Sequence, residues 1–123
     1  RGALIVSDSL GFRIPSIGFF PLFFTGYAEY MTAIGRLEAL EPRILCIAHQ
    51  GPLLGEAARK AFLGAREAAR TLCEEIRSDT RDEDAVIRDL YPRFYRDELA
   101  LYTPDNIIGC CRLVIRRSKA WNR

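Results

Sequence analysis

Two short apolar runs separated by one helical stretch constrain the fold of this chain more than any other feature. The segments "ALIVS" (3–7) and "ILCIA" (44–48) are short, apolar and partly β-branched, which is typical of buried strands. Between them, "YAEYMTAIGRLEAL" (27–40) spaces its large apolar side chains three or four residues apart, as one face of a helix requires. Pro42 ends this helix, because the residue before a proline is disfavoured in helical geometry. The pattern predicts a βαβ unit.

The second half of the chain predicts helices. Residues 56–78 are rich in Ala, Glu and Arg and place apolar side chains along one helical face. Thr80 with Glu83 three residues later has the form of a capping box, which predicts a second helix that Pro92 should kink or divide. Thr103 precedes a proline and predicts the start of a third. We therefore expect an α/β protein with a βαβ unit followed by three or four helices.

Charge and length limit the classes of partner. The 123 residues are 49% hydrophobic, which fits a single domain with a sizeable core. The 18 basic and 16 acidic residues give a net charge of +2, too little to favour nucleic acid or an anionic membrane surface. The longest near-apolar run, "IGFFPLFF" (17–24), falls short of the roughly 20 residues that a membrane-spanning helix needs. We expect a soluble protein without nucleic-acid or membrane partners.

The cysteines indicate no metal site or disulfide. Cys46, Cys73, Cys110 and Cys111 form no CxxC pair, and three of them lie in segments predicted to be apolar. Such thiols usually behave as small buried hydrophobic groups. This pattern favours a reducing, cytoplasmic location.

Two residues that follow the predicted strands are candidates for a metal site. Asp8 follows the first strand, and His49, the only histidine, follows the second. Parallel strands joined by a helix end at the same edge of a sheet, where ligands of open α/β folds collect. A carboxylate and an imidazole at one edge could share a metal centre. From the residues alone, an Asx-turn at Asp8 and a hydrogen-bonded loop histidine at position 49 remain equal alternatives.

The segments "LIVSDSLG" and "ILCIAHQGPLLG" resemble the last two metal-binding motifs of the metallo-β-lactamase superfamily. The resemblance covers roughly residues 3–77, with a more distant similarity to the hydrolase-like domain of flavodiiron proteins. It implies that Asp8 bridges two divalent metal ions, zinc or alternatively iron, and that His49 is a terminal ligand of the second. It also implies a hydrolase in which metal-activated water attacks a small ester, thioester, lactone or phosphoester substrate.

The chain departs from that family in its histidines. The family's HxHxDH motif and a further histidine should precede Asp8, yet only seven residues do, and His49 is followed by Gln50 where the family often has glycine. A zinc site needs three or four protein ligands. We therefore expect the C-terminal half of an αββα sandwich, which by itself is inactive and binds metal weakly. The alternative is a metal-free α/β interaction or structural domain.

Loss of the N-terminal half would also uncover one face of the sheet. We expect this apolar face to pack against its own copy, which predicts a homo-oligomer. The aromatic stretch 18–24 lies in a segment (11–26) predicted as a loop, which either flanks the metal site or packs over the core.

Overall fold

The computed structural model describes residues 2–122. Within this range the chain forms five short strands, four α-helices and one 3-10 helix. In chain order these are β1 (Ala3–Ser7), β2 (Phe12–Ile14), β3 (Gly18–Phe20), α1 (Tyr27–Glu38), β4 (Ile44–Ile47), β5 (Leu53–Leu54), α2 (Glu56–Ser78), α3 (Glu83–Phe94), the 3-10 helix (Asp97–Leu101) and α4 (Pro104–Ala120).

The predicted βαβ unit is present. β1 and β4 are neighbouring parallel strands, with Ala3 opposite Ile44, and α1 connects them. β5 adds an antiparallel edge strand beside β4, which gives a small mixed sheet in the order β1-β4-β5. The α/β class predicted from the sequence is therefore confirmed at this level.

The two faces of this sheet differ in burial. Side chains alternate between the faces of a strand, so Val6, Leu45 and Ile47 are buried in the core. On the opposite face, Ile5 is 79% exposed and Leu54 is 60% exposed. We call this opposite face the open sheet face; it consists of Ala3, Ile5, Ile44, Cys46 and Leu54.

The predicted aromatic loop contains a β-hairpin, so the loop prediction was wrong for its first half. β2 and β3 pair in antiparallel register, with Arg13 opposite Phe19. Gly11 enters the hairpin at a φ of +87°, and a Cβ there would lie 2.2 Å from the Phe20 carbonyl oxygen. Phe20 and Phe23 are each only 1% exposed, which confirms the alternative that this stretch packs over the core.

The helices agree with the sequence except at one cap and at Pro92, which does not divide α3. α2 has the predicted bounds and buries all six predicted apolar positions, which are Ala58, Phe62, Ala65, Ala69, Leu72 and Ile76. The predicted capping box at Thr80 is wrong, because α3 begins at Glu83 and the Asp82 carboxylate accepts a hydrogen bond from the Ala85 amide at 2.8 Å. Glu83 is thus the first helical residue and not the third. Thr103 caps α4 as predicted, and Pro92 lies inside the last turn of α3.

The helices α2, α3 and α4 pack together and close the core on the side away from the open sheet face. The buried side of α4 includes Ile107, Cys111, Val114 and Ile115. Near its C-terminal end, the Arg117 guanidinium donates to the carbonyl oxygen of Phe24 at 2.6 Å, which ties this helix to the segment before α1. None of the helices between residues 2 and 122 combines the length and apolar character that crossing a membrane requires.

Candidate functional site

Asp8 and His49 lie at the same edge of the sheet. The Ala48 amide donates a hydrogen bond to the Ser7 carbonyl oxygen at 3.1 Å, just beyond the paired residues of β1 and β4. Asp8 follows Ser7, and His49 follows Ala48, so each candidate is the residue directly after one member of this bonded pair. Both residues are exposed. The backbone thus brings Asp8 and His49 to the carboxyl edge of neighbouring parallel strands.

The backbone at this edge is irregular. The pairing of β1 with β4 shifts between Ile5 and Ser7, which inserts one extra residue into β1 as a β-bulge does. Ser7 (φ 51°) and His49 (φ 65°) are both in the left-handed region, which is uncommon for residues with a Cβ. Bulges and strained residues concentrate where a protein must aim a particular side chain. Here the left-handed residues are Ser7, directly before Asp8, and His49 itself.

A shallow depression of about 420 Å³ surrounds the His49 ring. The ring stacks on Phe12, with centroids 5.2 Å apart and planes within 10° of parallel. Tyr102 meets Phe12 edge-on at 5.9 Å, and Glu98 and Leu101 complete the lining. Leu101 is 87% exposed, which is unusual for so large an apolar side chain at the rim of a depression. An apolar wall thus stands on one side of the imidazole.

A buried hydrogen bond fixes the loop that carries Asp8. The turn after β1 is closed by main-chain bonds, with the Gly11 amide donating to the Asp8 carbonyl oxygen at 2.8 Å. The Tyr30 hydroxyl, on α1, donates to the Leu10 carbonyl oxygen at 2.7 Å in the core. Burial raises the pKa of Tyr30 well above its ordinary value near 10, so this donor keeps its proton at all physiological pH values. The Asp8 loop is therefore anchored to the helix behind it.

The donor types at this edge suit a divalent metal, although their number is small. A carboxylate offers two oxygens and a neutral imidazole one nitrogen, and zinc sites are built from such groups. Over residues 2–122, no three or more histidine, cysteine, aspartate or glutamate side chains come together in a group that could hold a metal ion. Asp8 and His49 by themselves could supply only part of a coordination shell.

Three of the four cysteines lie on the helices, whereas Cys46 is in β4, three residues before His49. All four are free thiols, and Cys73 and Cys111 are buried within the helical layer. Burial raises the pKa of the Cys111 thiol to about 12, because a low-dielectric environment disfavours the thiolate. This thiol is a packing group and not a metal ligand or nucleophile.

Sequence reasoning missed the residues around His49. Phe12, Glu98, Leu101 and Tyr102 are 37 to 53 positions away from it, on the hairpin and around the 3-10 helix. No local spacing relates these segments to one another. The apolar pair Leu101–Tyr102, directly before the Thr103 cap, was the one feature of the sequence that could have indicated these residues.

Comparison with known proteins adds no relative: no family model matches the chain, and no curated protein matches it significantly.

Proposed function

We propose that this chain is the C-terminal half of a metallo-β-lactamase-like sandwich and contributes Asp8 and His49 to the dinuclear metal centre of a hydrolase. One observation carries the proposal. The hydrogen bond from the Ala48 amide to the Ser7 carbonyl oxygen brings together the two backbone segments that lead into Asp8 and His49, at the carboxyl edge of parallel strands and beyond a β-bulge. An Asx-turn or a loop histidine alone requires no such pairing.

Each of the two side chains suits one role. The Asp8 carboxylate has two oxygens and can face two cations at once, whereas the His49 imidazole offers a single nitrogen to one of them. Stacking on Phe12 holds the His49 ring plane, and the Tyr30–Leu10 hydrogen bond holds the Asp8 loop. When bound, the metal ions would lower the pKa of a water molecule and polarise a substrate carbonyl or phosphoryl oxygen. The substrate class is a small ester, thioester, lactone or phosphoester.

A zinc titration of the 123-residue chain tests the site directly. His49 is the only histidine, so its imidazole protons give one unambiguous set of NMR signals. We expect those signals to shift in a saturable but weak manner, because two ligands hold zinc loosely. Asp8→Asn should weaken the binding roughly tenfold or more, as the loss of groups that support a metal ligand already does.

Glu98→Gln is the matched control for this titration. Glu98 lines the same depression as His49 and is the nearest competing carboxylate in it. We expect its removal to leave zinc binding nearly unchanged. If Glu98→Gln weakened zinc binding as much as Asp8→Asn, Asp8 would not be the specific carboxylate ligand. If zinc left the His49 signals unshifted, the metal-free interaction domain would be favoured instead.

The open sheet face supports the sandwich part of the proposal. Its five residues are apolar or small, apart from the Cys46 thiol, and Ile5 and Leu54 protrude from it. In a complete αββα sandwich a second sheet covers such a face at a distance of about 10 Å. In the isolated chain we propose that a second copy covers it, which gives a homodimer.

The size of this face predicts a weak dimer. The three strands have five, four and two residues. At about 3.3 Å per residue and about 4.8 Å between strands, they give a footprint of about 170 Å². A stable interface buries about 800 Å² per partner. We therefore expect concentration-dependent dimerisation in sedimentation experiments, and we expect Ile5→Lys to abolish it. Leu63→Lys, at an exposed leucine of α2, is the control, and an equal effect of both variants would refute the assignment of this face.

A further inference from the structure

A groove beside α2 and the hairpin is a second candidate binding site. It has a volume of about 760 Å³ and runs between α2, the β2–β3 hairpin and the C-terminal end of α3. Buried Phe19 and Phe94 form one wall, and Ala61 on α2 forms part of the other. The volume lies in the range of small-molecule sites, about 300–1,000 Å³.

The charge of this groove differs from that of the rest of the chain. Four lining side chains are basic (Arg13, Lys60, Arg93 and Arg96) and one is acidic (Glu67). Without these five, 14 basic and 15 acidic residues remain of the chain's 18 and 16. The positive charge of the protein is thus concentrated at the rim of one apolar groove, which favours an anionic ligand.

Arg13 and Lys60 are the cations best placed for such a ligand. Arg93 donates to Glu75 at 2.6 Å, so its charge is already compensated. Arg13 pairs across the hairpin with Phe19, whereas its contact to Gln50 is long at 3.5 Å. Lys60 is exposed and lies one helical turn before Gly64, where a Cβ would come within 3.4 Å of the Phe19 ring. Both cations therefore flank the same aromatic side chain.

The groove is separate from the candidate metal site. Arg13 and Phe19 are opposite each other and occupy one face of the hairpin. Phe12 is on the other face, where it stacks on His49. The groove and the depression around His49 share no lining residue, so this site does not depend on the proposed hydrolase function.

We propose that this groove binds a small amphiphilic anion, an alkyl chain that ends in a phosphate monoester. The apolar walls would take the chain, and Arg13 with Lys60 would take the head. A phosphate monoester carries a charge of about −1.5 to −2 at pH 7 and therefore balances two cations, which a carboxylate does not. Its oxygens also accept the several hydrogen bonds that a guanidinium and an ammonium donate.

A peptide helix is the alternative occupant of the groove. A helix as long as the lining stretch of α2 from Ala57 to Leu72 would measure about 24 Å. Such a helix has a diameter of about 10 Å with its side chains, which is wider than a single alkyl chain. A single alkyl chain matches the groove better.

Titration of the 123-residue chain with octyl phosphate, below its micelle-forming concentration, tests the proposal by amide NMR. We expect saturable shifts at Phe19, Ala61 and Gly64, and at least tenfold weaker binding of both inorganic phosphate and octanol. Octyl phosphate that binds no tighter than inorganic phosphate would overturn the amphiphile, and shifts confined to the open sheet face would overturn the site.

Two variants separate the head from the chain, and one serves as a control. Lys60→Gln should weaken octyl phosphate binding about fivefold, whereas Lys119→Gln, which removes the only other lysine, should leave it unchanged. Ala57→Leu fills the groove from an exposed helical position and should abolish binding without affecting the fold. Equal effects of the two lysine variants, or full binding by Ala57→Leu, would refute the proposal.

Discussion

Replacing Tyr30 by phenylalanine isolates the bond that anchors the Asp8 loop. The substitution removes one hydroxyl from a buried side chain and leaves the ring in place. The Leu10 carbonyl oxygen, on a fully buried residue, then loses its hydrogen-bond donor. A buried acceptor without a partner costs about 1–3 kcal/mol, so we expect the free energy of unfolding at pH 8 to fall by about 1.5 kcal/mol.

Alkaline pH should remove this difference. The pKa of Tyr30 is raised in the folded state by burial, so above pH 10 the unfolded chain releases the phenolic proton while the folded protein keeps it. The folded state then binds more protons, and the stability of the parent protein falls as pH rises, by about 1.4 kcal/mol per pH unit. Tyr30→Phe has no phenolic proton at this position and therefore lacks this loss of stability at high pH. The two stabilities should therefore become equal near pH 11.

Urea unfolding of both proteins at pH 8, 9, 10 and 11 measures the effect, since all other titrating groups are common to the pair. Tyr102→Phe, at an exposed tyrosine, is the control and should change stability at pH 8 by less than about 0.5 kcal/mol. A stability difference between parent and Tyr30→Phe that stays constant from pH 8 to pH 11 would refute the buried hydrogen bond.

Two further predictions concern the helices. Asp82→Ala should destabilise the protein by about 1 kcal/mol, whereas Thr80→Ala should cost little, because Asp82 caps α3. If thermal unfolding ranked the two variants in the opposite order, Thr80 and not Asp82 would be the N-cap. Gly109→Ala should stabilise the protein by about 0.8 kcal/mol, because this glycine is inside α4 and an added Cβ would meet no atom within 4 Å. A loss of stability in urea unfolding would contradict the open surroundings at Gly109.

The sequence predicted the βαβ unit because each of its strands and its helix has a local pattern of buried apolar residues. The apolar runs 3–7 and 44–48 and the helical period between them are local patterns, and the structure keeps their bounds within one or two residues. The hairpin was not predicted because β2 and β3 are only three residues each, and the aromatic run around β3 has no alternation of apolar and polar side chains. The cap of α3 was misplaced because two good capping residues stand two positions apart there.

The candidate site was also only partly predictable from the sequence. Asp8 and His49 could be found because strand ends are visible in the sequence and parallel strands end together. Glu98 and Leu101 reach the His49 ring only because the 3-10 helix packs beside the hairpin. Such packing depends on contacts between segments about 50 residues apart, which local spacing does not encode.

The β2–β3 hairpin contributes residues both to the groove and to the surroundings of His49. A point substitution at Phe19 changes the lining of the groove, whereas a substitution at Phe12 changes the surroundings of His49. Deletion or insertion of a single codon within β2 would instead move every following side chain of that strand to the opposite face. The amphiphile groove and the imidazole wall can thus diverge independently through missense changes, whereas one in-frame indel would exchange the chemistry of both sides at once.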